Sequence, residues 1–284
     1  MSKGKSVLVT GASGFIGRAT VASLEKAGWN VTRALRLTEK SKDAKTIFID
    51  LTKPSMILSL VDKMHFDAIV HIGAHIGWSG ESLSELYVPN VLSTGCLAAL
   101  SRQWDAHLLF ASAAIVSGIR TQKIETTSPL NPDTPYSKSK WLSEELILAS
   151  ECSHCIFRIA GVFGLDGPKH LGINRAIDGA INGLAPTQVG RAGALRNYIY
   201  VEDVADSIVF ALENKMQGTH LVSGSEVLPI QQMLSQICEI FLPGQQAKIK
   251  DGAEAVSQVI SPSQNLPATR KFIEALSDIR SMTK

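Results

Sequence analysis

The run Val7-Leu8-Val9-Thr10, followed at once by Gly11-Ala12-Ser13-Gly14-Phe15-Ile16-Gly17, leaves few folds open to this chain. A short β-branched apolar run reads as a buried strand, and Arg18 to Ala27 carries Ala19, Ala22 and Leu24 at helical spacing. The pattern is strand, tight turn, helix. The first glycine permits the turn, the second lets a pyrophosphate approach N–H groups at the helix start, and the third lets helix pack closely on strand. The G-x-x-G-x-x-G spacing differs from the commoner G-x-G-x-x-G. Its position at a strand-to-helix junction still reads as a dinucleotide turn rather than a plain one. Gly11, Ser13, Gly14, Phe15, Ile16 and Gly17 are the candidate cofactor contacts in it.

The next strand, Trp29 to Arg36, is expected to end near an adenosine ribose. An Asp or Glu there takes the ribose hydroxyls of NAD, whereas an Arg suits the 2′-phosphate of NADP. No acid appears until Glu39, and Arg33 and Arg36 bracket the strand end. The reading therefore favours NADP over NAD, with Arg36 as the contact; the alternative leaves both arginines in solvent. Ile47-Phe48-Ile49 gives a third strand, with Asp50 and Leu51 at its carboxyl end, where Asp50 could meet an adenine edge. Ala68 to Ala74 is a fourth, ending in Ile72, Gly73 and Ala74 where a cofactor would cross the sheet. A helix from Asn90 to Arg102 and the run His107 to Ser112 repeat the unit. Strands alternating with helices predict an α/β fold, a Rossmann-type doubly wound parallel sheet with ligands outside the carboxyl ends of its strands. Ser112 falls at such an end.

A proline-broken loop, Thr126 to Pro135, delivers the chain to Tyr136-Ser137-Lys138-Ser139-Lys140. Positions four apart share a helix face, so the phenol and the ammonium of Lys140 meet at one point. A phenol titrates near pH ~10, and an adjacent cation stabilises the phenolate and lowers that value. Tyr136 and Lys140 are thus a candidate acid/base pair, against the plainer reading of a surface tyrosine among solvated lysines. The helix continues to about Ala149. Trp141, Leu142, Leu146 and Leu148 cover a broader arc than one core stripe needs. A partner helix and a homodimer are expected, burial against the sheet being the other reading.

Beyond it, Cys155 to Ile159 reads as a strand. Gly161 to Asn197, with one short helix at Ile173 to Asn182, suits a substrate lid. Tyr198 to Val201 reads as a strand leading into a helix from Val204 to Glu213. The last segment, with helices near Ile230 to Ile240 and Ala268 to Leu276, is no Rossmann half. The chain divides into a dinucleotide-binding core, 1–160, a small C-terminal substrate-binding region, 161–197 and 218–284, and a return to the core, 198–217. With 284 residues, 45% of them hydrophobic and a net charge of +2, the chain can bury a sizeable core and is not forced to present a basic surface. A small-molecule partner is expected, not nucleic acid. The few apolar residues before Gly11 are too short for a signal core or a membrane span, which predicts a soluble cytoplasmic protein with no membrane partner. Cys152-Ser153-His154-Cys155 has suggestive spacing, but no second Cys/His pair completes four ligands, so no metal is expected.

Taken together these residues resemble the extended short-chain dehydrogenase/reductase family, in its branch of NAD-dependent epimerases, dehydratases and reductases. Gly11, Gly14 and Gly17 match the family's glycine motif, and Tyr136 to Lys140 match its Y-x-x-S-K. His71 to Ala74, Asn90-Val91 and Gly190 through Asp203 are similar to further family segments. The resemblance implies that Tyr136 moves the proton of a carbinol or carbonyl while hydride passes to or from a nicotinamide. It implies that Lys140 holds the nicotinamide ribose and that Arg196 contacts a substrate diphosphate, its alternative being an ion pair with Glu202 or Asp203. Three departures follow. The family's Ser or Thr beside the tyrosine falls on Ala113, so either Ser112 reaches the substrate from an irregular strand end or that hydroxyl is missing. Ala114-Ile115 replace the dehydratase acid pair, which disfavours dehydration. Gly161 replaces a common Asn, and Ser117 a common Tyr. The expected function is an NAD(P)-dependent oxidoreductase or epimerase of a nucleotide-sugar, a 4-keto reductase or 4-epimerase, with Tyr136 and Lys140 assisted by Ser112, and with Ser112, Gly161 and Arg196 toward the substrate. An NADPH-dependent reductase of a non-nucleotide ketone or aldehyde, and a non-catalytic dinucleotide-binding protein, are the alternatives.

Overall fold

The computed structural model describes residues 5–77, 80–190, 193–253 and 255–283. The chain forms two compact units. The first comprises Met1–Ile119, Pro129–Arg158 and Val204–His220, and the second Arg120–Ser128, Ile159–Asp203 and Leu221–Lys284.

A seven-stranded sheet is built from β1 (Ser6–Thr10), β2 (Asn30–Leu35), β3 (Thr46–Phe48), β4 (Ala68–His71), β5 (His107–Ala113), β6 (His154–Ile159) and β7 (Gly218–Val222), in the order β7-β6-β5-β4-β1-β2-β3. The pairings of β1 with β2 and β4, of β2 with β3 and of β4 with β5 are all parallel. Val7, Leu8 and Val9 are fully buried in succession, as expected of a strand covered on both faces. The chain runs outward from β1 to β3 and then returns to the other side of β1 with β4. That reversal opens a crevice at the carboxyl ends of β1 and β4, the place where such sheets take ligands.

The longer helices are α1 (Phe15–Lys26), α2 (Ser93–Trp104), α3 (Pro135–Ala149), α4 (Gly172–Ile181), α5 (Val201–Glu213), α6 (Ile230–Phe241) and α7 (Phe272–Met282). Leu97, Leu100 and Trp104 of α2 and Ile147 of α3 pack with Leu8, Ile69, Leu108 and Ile156 in one buried cluster. A π-helical stretch, Tyr87–Leu92, leads into α2. Such wide turns concentrate at functional sites. The start of α3 follows from its sequence: Pro135 occupies the first turn, and the Thr134 hydroxyl accepts from the Ser137 N–H at 3.0 Å. Leu146 and Leu148 stay exposed on α3. Among the described residues no helix is long and apolar enough to cross a membrane.

In the second unit, α4, α6 and α7 accompany short strand pairs. Asn197 is its staple, donating to the carbonyls of Gly224 and Ile260 at 2.8 and 2.6 Å while accepting from the Ile260 N–H. Arg120–Ser128, read above as part of the core, belongs to this unit because Lys123–Ile124 pairs with Val259–Ile260. The last helix begins later than expected, at Phe272, whose ring packs on Phe163 with centroids 4.8 Å apart.

Candidate active site

The glycine turn is shaped by steric necessity. Gly11 adopts φ +69°, and a Cβ there would stand 2.6 Å from the Gly73 nitrogen. A Cβ on Gly17 would stand 2.0 Å from the Gly11 carbonyl oxygen. No other residue fits either place. The α1 helix begins at an exposed Gly14 with no side-chain cap and no acid in its first turn. Its leading N–H groups therefore face outward, where a pyrophosphate is the natural acceptor. The residues present fit a dinucleotide.

At the end of β2 the structure departs from the expectation. Arg33 is taken up by Glu25 and Asp43, each at 2.6 Å. Glu39 folds back onto the glycine turn instead. Its carboxylate accepts from the Ser13 hydroxyl at 2.7 Å and from the Arg36 N–H at 3.0 Å, while the Arg36 side chain is 80% exposed. Burial works to raise the Glu39 carboxyl, but the bonds from Ser13 and Arg36 outweigh it and hold the group below the usual carboxylate range. An acid thus stands beside the turn, delivered by a bend that the strand pattern did not reveal. Asp50 caps its own loop through Thr52 at 2.9 Å from the N–H and 2.6 Å from the hydroxyl, and Leu51 lies against Gly73.

Behind the crevice runs a buried chain of hydrogen bonds. The Gly73 N–H donates to Thr10 Oγ1, which lies 2.6 Å from His71 Nδ1; His71 Nε2 lies 3.0 Å from Thr94 Oγ1, and Thr94 donates to the Asn90 carbonyl. Because Thr94 spends its proton on Asn90, His71 Nε2 carries a hydrogen and Nδ1 accepts from Thr10. Burial, with the Lys140 charge adding to it, pushes His71 down to about 3, so the ring is neutral. Asn90, on the π-helical stretch, accepts from the His75 N–H at 2.7 Å and donates to Ser139 Oγ at 2.9 Å. Ser139 donates in turn to the Tyr136 carbonyl. One amide therefore joins the exit of β4 to the first turn of α3.

On that turn Tyr136 is half-buried and Lys140 is 2% exposed. Lys140 Nζ donates to the Ala111 carbonyl at 2.7 Å, 4.5 Å from the Phe110 ring and 5.8 Å from the Tyr136 ring. Burial brings the lysine down to about 7, with the Glu144 carboxylate pulling the other way. The phenol moves opposite to the expectation: burial pushes Tyr136 up to about 12. A phenol at that value is a protonated acid at neutral pH, beside an amine balanced between its two charge states.

Ser112 must be reassigned. The β5 strand stays extended through Ala113, at φ −132° and ψ 138°, so the two side chains face opposite sides. Ser112 is 4% exposed and its hydroxyl donates to Glu144; Ala113 takes the more open face. Glu144 is 1% exposed and receives Arg158 from β6 through Nε at 3.1 Å and Nη2 at 2.7 Å. Glu144 was missed in the sequence, although it continues the four-residue spacing of Tyr136 and Lys140.

In the second unit, Arg196 donates to the Leu195 carbonyl and interacts with Tyr198, while Asp203 is paired with Arg270. Gly161 lies under the Tyr198 ring, where an added Cβ would meet Cδ1 at 2.6 Å. Arg191 and Ala192 of the Gly190–Asp203 segment lie outside the described residues. A cavity of about 510 Å³ within this unit is lined by Ile173, Ala176, Gln188, Tyr198, Met233 and Leu234 among others.

The sheet order and the glycine turn at its reversal define a Rossmann-type α/β protein. The profile of the NAD dependent epimerase/dehydratase family matches residues 7–224, and the chain belongs to that family. It is 27% identical over 242 residues to the UDP-glucose 4-epimerase of Lactobacillus helveticus, covering 74% of this chain and 73% of that one. Its fold matches UDP-N-acetylglucosamine 4-epimerase from Bacillus cereus, with a TM-score of 0.85 at 21% identity over 99% of both chains. It also matches UDP-glucuronic acid 4-epimerase from Bacillus cereus in complex with NAD, with a TM-score of 0.81 at 19% identity over 98% of this chain and 96% of that one.

Proposed function

We propose that this chain is an NAD-dependent epimerase of a nucleoside-diphosphate sugar, in which Tyr136 exchanges a proton with a ring hydroxyl at the carbon being inverted. The observation that carries it is the Tyr136–Lys140 pair on one face of α3, tied through Asn90 to the segment leaving β4. When bound, NAD supplies a hydride acceptor and donor at that carbon. Gly11, Gly14 and Gly17 with the start of α1 would hold its pyrophosphate, and Ile72 to Ala74 would border its path. The buried Lys140 would face its ribose hydroxyls. Tyr136 gives its proton to an oxyanion when a ketone is reduced and recovers it when the alcohol is oxidised, and a nearby ammonium lowers the cost of the phenolate between those steps. NAD rather than NADP is supported by Glu39, whose carboxylate stands beside Ser13 of the glycine turn and would repel a 2′-phosphate held near it. Arg196 and the apolar cavity of the second unit would receive the diphosphate and the base. Leu146 and Leu148 would form part of the contact with a second copy; a monomer at every concentration in sedimentation would end that part.

The test uses calorimetry with uridine, guanosine and thymidine diphosphates, and turnover of the matching hexose nucleotides. Tyr136→Phe should leave diphosphate affinity unchanged and lower turnover by roughly 10²–10⁴-fold. Absence of binding to all three diphosphates would retire the reading. A second one, a reductase of a non-nucleotide ketone or aldehyde, is favoured by the ring of Tyr198 filling the space an Asn at 161 would need. Oxidation of NADH or NADPH with a simple ketone panel, in protein that ignores the diphosphates, selects it.

A further inference from the structure

Lys140 is an ammonium candidate with little to keep it charged. Its nitrogen meets the Ala111 carbonyl and the Phe110 face, and the acid that acts on it from its own helix face is Glu144, one turn further along α3. From the other elements it is coupled to neutral His71 on β4, while Ser112 on β5 and Arg158 on β6 both contact Glu144. Glu144 is itself 1% exposed. Three hydrogen bonds from the Arg158 guanidinium and one from the Ser112 hydroxyl hold its carboxyl oxygens in place. The group so held lies one helical turn from Lys140 and raises the lysine's hold on its proton.

We propose that Glu144, clamped by Arg158 and Ser112, is a positioning residue that keeps Lys140 protonated and seated against Ala111, facing Tyr136. This rests on the acid/base reading of Tyr136 and Lys140. It gives Ser112 a role distinct from the one its place in the sequence suggested: the hydroxyl serves the carboxylate behind the lysine.

The experiment follows the Lys140 Cε resonance in cofactor-free protein carrying isotope-labelled lysine, assigned by its loss in Lys140→Met. Wild type should titrate near 7. Glu144→Gln should lower that midpoint by about one pH unit, a tenfold loss of proton affinity, and Glu144→Asp should stay near wild type. Because Glu144→Gln strands a buried guanidinium, the paired change Glu144→Gln with Arg158→Met carries the same test in a neutral setting, with the same downward shift expected. Turnover of a hexose nucleotide at neutral pH should fall about tenfold in Glu144→Gln with KM within threefold, and recover in Glu144→Asp. An unmoved or raised Lys140 midpoint in both Gln variants overturns the proposal. If wild type shows no turnover, the functional reading fails, and the resonance still decides the role of Glu144.

Discussion

Replacing Lys140 by methionine should make this protein more stable while removing the amine beside Tyr136. In the fold the lysine is brought from its ordinary 10.5 to about 7, chiefly by burial. At 1.36 kcal/mol for each pH unit, holding it protonated inside the protein costs roughly 5 kcal/mol of folding free energy. Methionine fills a similar volume without charge, but strands the Ala111 carbonyl that Nζ now satisfies, a loss of about 1–3 kcal/mol. Glu144 keeps Arg158 in the variant. The net expectation is a gain of roughly 2–4 kcal/mol below neutral pH. Its pH dependence carries the reasoning. Below about pH 7 both folded and unfolded chains hold the proton, and the wild-type penalty is fully present. Between about 7 and 10.5 only the unfolded chain holds it, so wild-type stability rises with pH and the variant's advantage shrinks. Urea denaturation of cofactor-free protein, followed by tryptophan fluorescence at about pH 6, 8 and 10, reads this directly. A variant less stable than wild type at the lowest pH, or an advantage of constant size across the range, refutes the account.

Two further outcomes are expected. Glu39→Gln removes a carboxylate that would meet a 2′-phosphate; at an effective dielectric near 20 a pair of unit charges about 4 Å apart is worth up to about 4 kcal/mol, so NADP should gain at least tenfold in affinity relative to NAD in titration calorimetry. A wild type that already prefers NADP contradicts this reading of Glu39. Gly17→Ala drives a methyl into the Gly11 carbonyl and should cost about 3 kcal/mol or more and abolish NAD binding, whereas a melting temperature and NAD affinity close to wild type would show that the turn can relax.

What was legible in the sequence is what lies close along the chain. The glycine turn sits within seven residues, the sheet strands announce themselves as β-branched runs, and Tyr136 with Lys140 needs only helical spacing to share a face. What was not legible depends on contacts between distant segments. Glu39 looks like a loop acid until the chain bends it 26 positions back to Ser13. Ser112 looks catalytic until α3 brings Glu144 to it across 32 positions, and Arg120–Ser128 looks like core until Val259–Ile260 pairs with it. The phenol of Tyr136 was misjudged for a related reason: the neighbouring lysine is local and visible, while the burial that raises the phenol is a property of the finished fold.

The Thr10, His71 and Thr94 chain has polarity, since Thr94 donates onward to Asn90 and thereby fixes which imidazole nitrogen carries hydrogen. That hydrogen sits on a ring 1% exposed, too weakly basic to be lost or gained by titration near neutrality. It can trade with water only when β4 parts from its neighbours or α2 lifts away. His71 Nε2–H is therefore a slow clock built into the centre of the sheet, ticking at the rate at which the dinucleotide crevice breaks open from beneath.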